Sequence, residues 1–162
     1  MQDPKRRKRE PVDSGQSDLE TRMWLRMLAC SNLITSELRA GFRDDFGTTL
    51  ARFDVLAQIA RQPAEPTMSE LSQRLMVTKG NITDAITRLE ADKLVVRRGD
   101  PADARIQRVS LTPKGRKLLD AMLPAHKAWL SRLLREVDRE DLQQLEALLL
   151  RLRTALRAAR QG

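Results

Sequence analysis

Residues 69–111 read SELSQRLMVTKGNITDAITRLEADKLVVRRGDPADARIQRVSL, and they narrow the fold more than any other stretch of the chain. The spacing predicts a short helix over 69–75, a turn at Met76 and Val77, and a second helix opened by Thr78. Within that second helix Ile82, Ala85, Ile86 and Leu89 recur at i, i+3, i+4 and i+7, which fixes one buried face. Lys79, Asn81, Thr83, Asp84, Thr87 and Arg88 then face outward or flank it. Residues 94–98 and 107–111 are strand-like, and the turn-rich loop 99–105 joins them. Two short helices, a tight turn and a basic β-hairpin make the outline of a winged helix-turn-helix. Short polar and cationic side chains on its second helix are the kind that reach base edges and phosphates from the major groove. Double-stranded DNA is therefore the expected partner.

The flanking segments carry helical patterns. Residues 17–45 place Trp24, Leu28, Ser31, Leu38 and Phe42 along one stripe. Gly47 is positioned to end that helix in a left-handed conformation, and a threonine caps the next one, which holds Leu50, Phe53, Leu56 and Ile59. Two prolines make 62–66 a loop, and Thr67-Met68-Ser69-Glu70 fits a capping box. Thr112-Pro113 starts a helix expected to reach Val137 and to kink near Pro124. Asp138 caps a last helix with Leu142, Leu145, Leu148, Leu149, Leu152 and Leu156 on one face. The expected fold class is mainly α with a small β-hairpin wing. Its parts are a basic disordered tail (1–16), a dimerisation helix (17–46), the winged helix-turn-helix domain (47–112) and C-terminal dimerisation helices (113–162).

Composition excludes several classes. A formal charge of +8 over 162 residues favours a polyanionic partner. Tyr is absent and there are only three Phe and two Trp, too few for an RNA-binding sheet that stacks bases on aromatics. One cysteine and one histidine rule out a disulfide framework, a cysteine zinc site and most acid-base catalysis. Asp44 and Asp45 are adjacent and point to different faces, so no enzyme, metal or cofactor is expected. No apolar run approaches the roughly 20 residues of a membrane helix, and no apolar signal core follows the basic N-terminus. The expected location is cytoplasmic, with no membrane partner. The run Lys5-Arg6-Arg7-Lys8-Arg9 reads equally as a phosphate contact and as a solvated tail.

The first helix and the last two are long and apolar-striped, and a small wing-and-helix domain cannot cover that much leucine surface. The expectation is a homodimer buried along these stripes; the alternative is a monomeric helical bundle. Symmetric DNA readers present two recognition helices roughly 34 Å apart.

The order of elements and the wing text DPADARIQRVSLTPKG resemble the MarR family of bacterial transcription regulators. The pattern is carried by Asp100, Asp103, Arg105, Val109, Leu111, Thr112 and Gly115, within a resemblance running from about Leu19 to the C-terminus. The resemblance implies an obligate dimer with its recognition helix in the major groove. It also implies that Arg105 reaches the adjacent minor groove and that Asp103 orients it. A guanidinium suits a narrow A·T-rich minor groove. Arg97, Arg98 and Arg108 on the hairpin read as phosphate contacts. On the second motif helix Thr78, Lys79, Gly80, Asn81, Thr83, Thr87 and Arg88 complete the DNA-facing set, Gly80 letting the helix start approach a phosphate. Asp84 either pairs with Arg88 or accepts from a cytosine amine, the pairing being favoured.

The same resemblance implies a repressor released from a pseudo-palindromic operator by a small effector, often an aromatic acid, lodged where dimerisation helices meet the DNA-binding lobe. Ser31 and Thr35 interrupt the apolar wall of Trp24, Leu28 and Leu38, as a small-molecule pocket requires; hydroxyls bonded back to their own helix are the alternative. Phe53 of the next helix is counted with this set. The stretch LRMLACSNLITSELRAGFRDDFGTTLARFDVLAQIA, with MSELSQRLMVTKGNIT, is similar to a subgroup linked to hydroxycinnamate breakdown, whose effector is an aryl-CoA thioester. Arg39 and Arg43 would then meet CoA phosphates, or else form a solvated basic face. Two other readings compete. Cys30 on helix one raises redox sensing, although the tyrosines that peroxide-sensing relatives rely on are absent and a lone cysteine there reads as inert core. An architectural DNA-compacting protein would share the charge without sequence readout.

Overall fold

A computed structural model describes residues 14–103 and 105–159. In chain order it has α1 (Ser14–Phe46), α2 (Leu50–Ala60), α3 (Met68–Leu75), α4 (Lys79–Ala91), β1 (Val95–Gly99), β2 (Gln107–Leu111), α5 (Pro113–Leu133) and α6 (Arg139–Ala159). This is the mainly helical fold with a two-stranded wing that the periodicity predicts. Helix α1 begins at Ser14, inside the stretch read as tail, and the basic run at 5–9 lies outside the described residues.

The breaks fall where local chemistry puts them. Gly47 sits at φ +58°, and its N–H donates to the Arg43 carbonyl at 3.1 Å, closing α1. Thr49 caps α2 by accepting from the Arg52 N–H. Thr67 and Glu70 form the reciprocal capping box of α3. Helix α5 continues through Pro124, and it stops at Leu133 rather than Val137. Pro124 and Asp120 are both exposed, so water can take the carbonyl that the missing proline N–H leaves unpaired. The Asp138 carbonyl accepts the first bond of α6, from Leu142 N–H at 3.0 Å.

The hairpin pairs Val95 with Leu111 through to Gly99 with Gln107, antiparallel. Its base is locked to α5. The Thr112 hydroxyl donates to the Lys93 carbonyl at 2.7 Å while accepting from Gly115 N–H at 3.0 Å. A Cβ at Gly115 would lie 1.9 Å from the Leu94 carbonyl oxygen, so no side chain fits there. The Leu-Thr-x-x-Gly text is thus a packing joint between strand and helix.

One core runs through all of this. Leu56, Leu71, Ile82, Ile86, Leu89 and Val109 of the central segment share it with Leu38 and Phe42 of α1 and with Leu119, Met122 and Trp129 of α5. Phe42 stacks on Phe53 with ring centroids 4.6 Å apart and receives the edge of Trp129 at 5.0 Å. Boundaries at 46/47 and 112/113 therefore cross a continuous core. In contrast, α6 buries no residue.

Candidate nucleic-acid interface

The two helices of the motif are set by backbone geometry at Met76, which takes the left-handed conformation (φ 55°) and donates its N–H to the Gln73 carbonyl. A methionine there carries strain a glycine would not, and its side chain stands exposed. Helix α4 is then anchored by Ile82, Ile86 and Leu89, each at most 1% exposed. Opposite that buried face, Lys79, Gly80, Asn81, Thr83, Asp84, Thr87 and Arg88 are all exposed. Two of the polar groups already have partners within the helix. Thr78 accepts from Asn81 N–H at 3.2 Å as N-cap, and the Thr83 hydroxyl donates to the Lys79 carbonyl at 2.8 Å. A Cβ at Gly80 would meet nothing closer than the Thr78 hydroxyl at 3.9 Å, so packing within the chain does not require a glycine there. The expected Asp84–Arg88 pair is not among the ion pairs of the described residues.

The wing arginines divide into two groups. Arg105 is held by Asp103 in a two-pronged contact at 3.0 and 2.9 Å, yet its side chain is 90% exposed. The Arg105 guanidinium and N–H hold the Asp103 carboxyl below the usual carboxylate range. Arg98 is also largely exposed, 4.0 Å from Glu65. Arg97 and Arg108, expected at phosphates, are instead engaged by the protein. Arg97 binds the Glu90 carboxylate at 2.6 Å and lowers its pKa. Arg108 binds Asp100 and donates to the Glu65 carbonyl at 2.8 Å. Asp100 is held low first by the Ala102 N–H and then by Arg108. Glu65 and Glu90 were not singled out in the sequence. Their partners lie across folds of the chain, and the only available signal was opposite charge on neighbouring elements.

The residues grouped around an effector do not converge. Ser31 and Thr35 line an apolar cleft of about 660 Å³ between α1 and α6, with Met23, Met27, Leu145 and Leu149. The Thr35 hydroxyl donates back to the Ser31 carbonyl of its own helix at 2.8 Å. Trp24 and Leu28 are exposed outside that lining, Arg39 is exposed, and Arg43 pairs with Asp44 at 2.9 Å. Phe53 is a core residue at 3% exposure, with its ring against Phe42 and His126, and it is unavailable as a pocket wall. Cys30 is exposed and lines the same cleft rather than lying in the core. His126 packs on Phe42 and Phe53 beside Asp54; burial pushes the His126 pKa down and the Asp54 pKa up. No group of His, Cys, Asp and Glu among the described residues has the arrangement of a metal site. No described helix is long and apolar enough to cross a membrane.

A capped helix-turn-helix with a bare polar face beside an arginine-tipped hairpin defines a winged helix-turn-helix regulator of transcription. The comparisons agree. A profile of the MarR family matches residues 46–106. An HTH-type transcriptional regulator of Bacillus cereus is 35% identical over 124 residues, 76% of this chain and 80% of that protein. Among solved structures, a MarR family transcriptional regulator from Silicibacter pomeroyi superposes with a TM-score of 0.76 at 31% identity, covering 89% of this chain and 99% of that one. AbsC, a MarR family transcriptional regulator from Streptomyces coelicolor, superposes at 0.78 with 27% identity, over 87% of this chain and 96% of its own. The chain belongs to the MarR family of transcriptional regulators. Its relatives are regulators, not enzymes.

Proposed function

We propose that the chain is a homodimeric, cytoplasmic repressor that occupies a pseudo-palindromic DNA operator and is released by a small aromatic acid or its CoA thioester. One observation carries the DNA reading: α4 buries Ile82, Ile86 and Leu89 while its polar face stays exposed, and the Arg105 side chain of the wing, though held by Asp103, is 90% exposed. Lys79, Asn81, Thr87 and Arg88 then read the major groove, and Arg105 the adjacent minor groove. The exposed leucines of α6 and the exposed Leu19, Met23, Trp24 and Leu25 of α1 supply the dimer surface, because a monomer leaves them in water. The α1–α6 cleft, apolar with the Ser31 and Thr35 hydroxyls at its wall, supports an effector site at the junction of dimerisation helices.

Two measurements test this reading. At fixed salt, a duplex selected from a random library should hold the protein against bulk DNA with a preference of about 10³ or more; equal competition identifies an architectural protein. A melting-shift screen with aromatic acids and their CoA esters should raise the melting temperature for at least one class, by mass action on the folded state. A flat screen removes the effector assignment.

A further inference from the structure

We propose that Asp100 and Arg108 are positioning residues that hold the wing tip, and with it Arg105, at a set reach from the recognition helix. The inference rests on the DNA-binding reading above. A two-stranded hairpin is marginal on its own, so the strand ladder alone does not fix where its tip points. In this chain the tip is tied at two places. At its base, Arg97 of β1 grips Glu90 near the end of α4, with the Nε–carboxylate contact at 2.8 Å. Toward the tip, the Arg108 guanidinium leaves β2 and is shared between the Asp100 carboxylate and the Glu65 carbonyl of the loop that leads into α3. The same loop receives the Val109 N–H on the Pro66 carbonyl at 2.9 Å and a β-bridge from Thr67 to Arg108.

From Asp100 the contacts run on to the groove residue. Its carboxylate, with a side chain only 10% exposed, accepts the Ala102 N–H at 2.8 Å. Its N–H donates to the Ile106 carbonyl at 2.8 Å, and the Ile106 N–H donates to the Asp103 carbonyl at 2.9 Å. Asp103 then holds Arg105. A continuous set of polar contacts thus joins the threshold of α3 to the guanidinium that extends beyond the protein. An arginine ordered before binding loses less freedom on entering a groove than one on a loose tip.

The role of Asp100 makes the inference testable, because charge and position predict opposite outcomes. A carboxylate near phosphates repels them, so on charge alone Asp100→Asn tightens DNA binding. If Asp100 holds the wing, the same change weakens it. The full chain and a short duplex selected by the wild-type protein serve for the measurement, with dissociation constants taken across a salt series. Arg105→Ala should weaken binding about tenfold or more, as for a lost groove contact. Asp100→Asn should weaken it severalfold, and should add nothing in the Arg105→Ala background. Arg108→Ala should likewise add nothing there and leave the salt slope of that background unchanged. Binding by Asp100→Asn that is unchanged or tighter overturns the inference. So does a further loss from Arg108→Ala in the Arg105→Ala background with the salt slope reduced by about 1, the mark of a direct phosphate contact. Should Arg108→Ala fail to fold, Asp100→Asn, which keeps the side-chain shape, decides alone. A wild-type chain that selects no sequence overturns the DNA-binding reading itself, whereas an Arg105→Ala chain as tight as wild type removes the groove contact of the wing and this inference with it, leaving that reading in place.

Discussion

The central lobe and the helical ends of this chain meet solvent in opposite ways. In the lobe, Leu71, Ile86 and Leu89 have no exposure at all, whereas in α6 Leu145, Leu148 and Leu156 stand 51%, 56% and 57% exposed. The lobe satisfies its apolar surface with its own chain, including parts of α1 and α5. The ends carry leucines of the same kind that the chain leaves about half exposed. Burying apolar surface stabilises by about 25 cal/mol per Å², so an uncovered leucine face of this length favours association. The difference teaches that the DNA-facing part has its core within one chain, whereas the proposed dimer rests on a surface that one chain leaves open.

The largest test of that contrast is Leu149→Asp. If α6 is buried in a dimer, a carboxylate there is an uncompensated buried charge worth about 3–5 kcal/mol of lost association. The variant should sediment as a monomer; a stable dimer carrying the aspartate breaks the comparison from the side of the ends. Gly115→Ala probes the lobe. With a Cβ 1.9 Å from the Leu94 oxygen, strand or helix must shift, and overpacking of this kind costs about 1–3 kcal/mol. Thermal melting should fall while the dimer persists; an unchanged melting temperature contradicts the packing joint.

The smallest effect is expected at the Glu90–Arg97 contact, whose side chains are 35% and 30% exposed, so Glu90→Gln should cost about 0.5 kcal/mol at neutral pH. Its pH dependence gives the sign. The folded pKa of Glu90 lies below the ordinary 4.5, chiefly because of the Arg97 guanidinium. The stabilisation is therefore complete above the unfolded value and is lost as pH falls through the folded one. Melting curves of wild type and Glu90→Gln should differ at pH 7 and converge in acid. A difference that persists there removes the ion pair as its cause.

The contrast between lobe and ends also explains what was legible in the sequence. Elements with a local signature are legible in the sequence: the capping box at Thr67 and Glu70, the period of Ile82, Ile86 and Leu89, and β2 at Gln107–Leu111. Arg97, Arg98 and Arg108 read alike in sequence as phosphate contacts, and the fold separates them: Arg98 stays largely exposed while the other two are engaged by the protein. Arg105 has a partner two residues away and keeps its exposure, while Arg108 meets the Glu65 carbonyl 43 positions away. No periodicity announces such a contact. Phe53 failed as a pocket residue for the same reason, because its neighbours Phe42 and His126 come from α1 and α5. The apolar face of α6 was plain in the sequence, but a leucine stripe does not say what covers it.

The most direct test of the account is sedimentation of the full chain, alone and with its selected duplex. The prediction is a species of two 18.5 kDa chains in both cases, on an inverted repeat whose half-sites lie about 10 base pairs apart, centre to centre. A monomer in solution that loads onto any duplex without a fixed stoichiometry would contradict it.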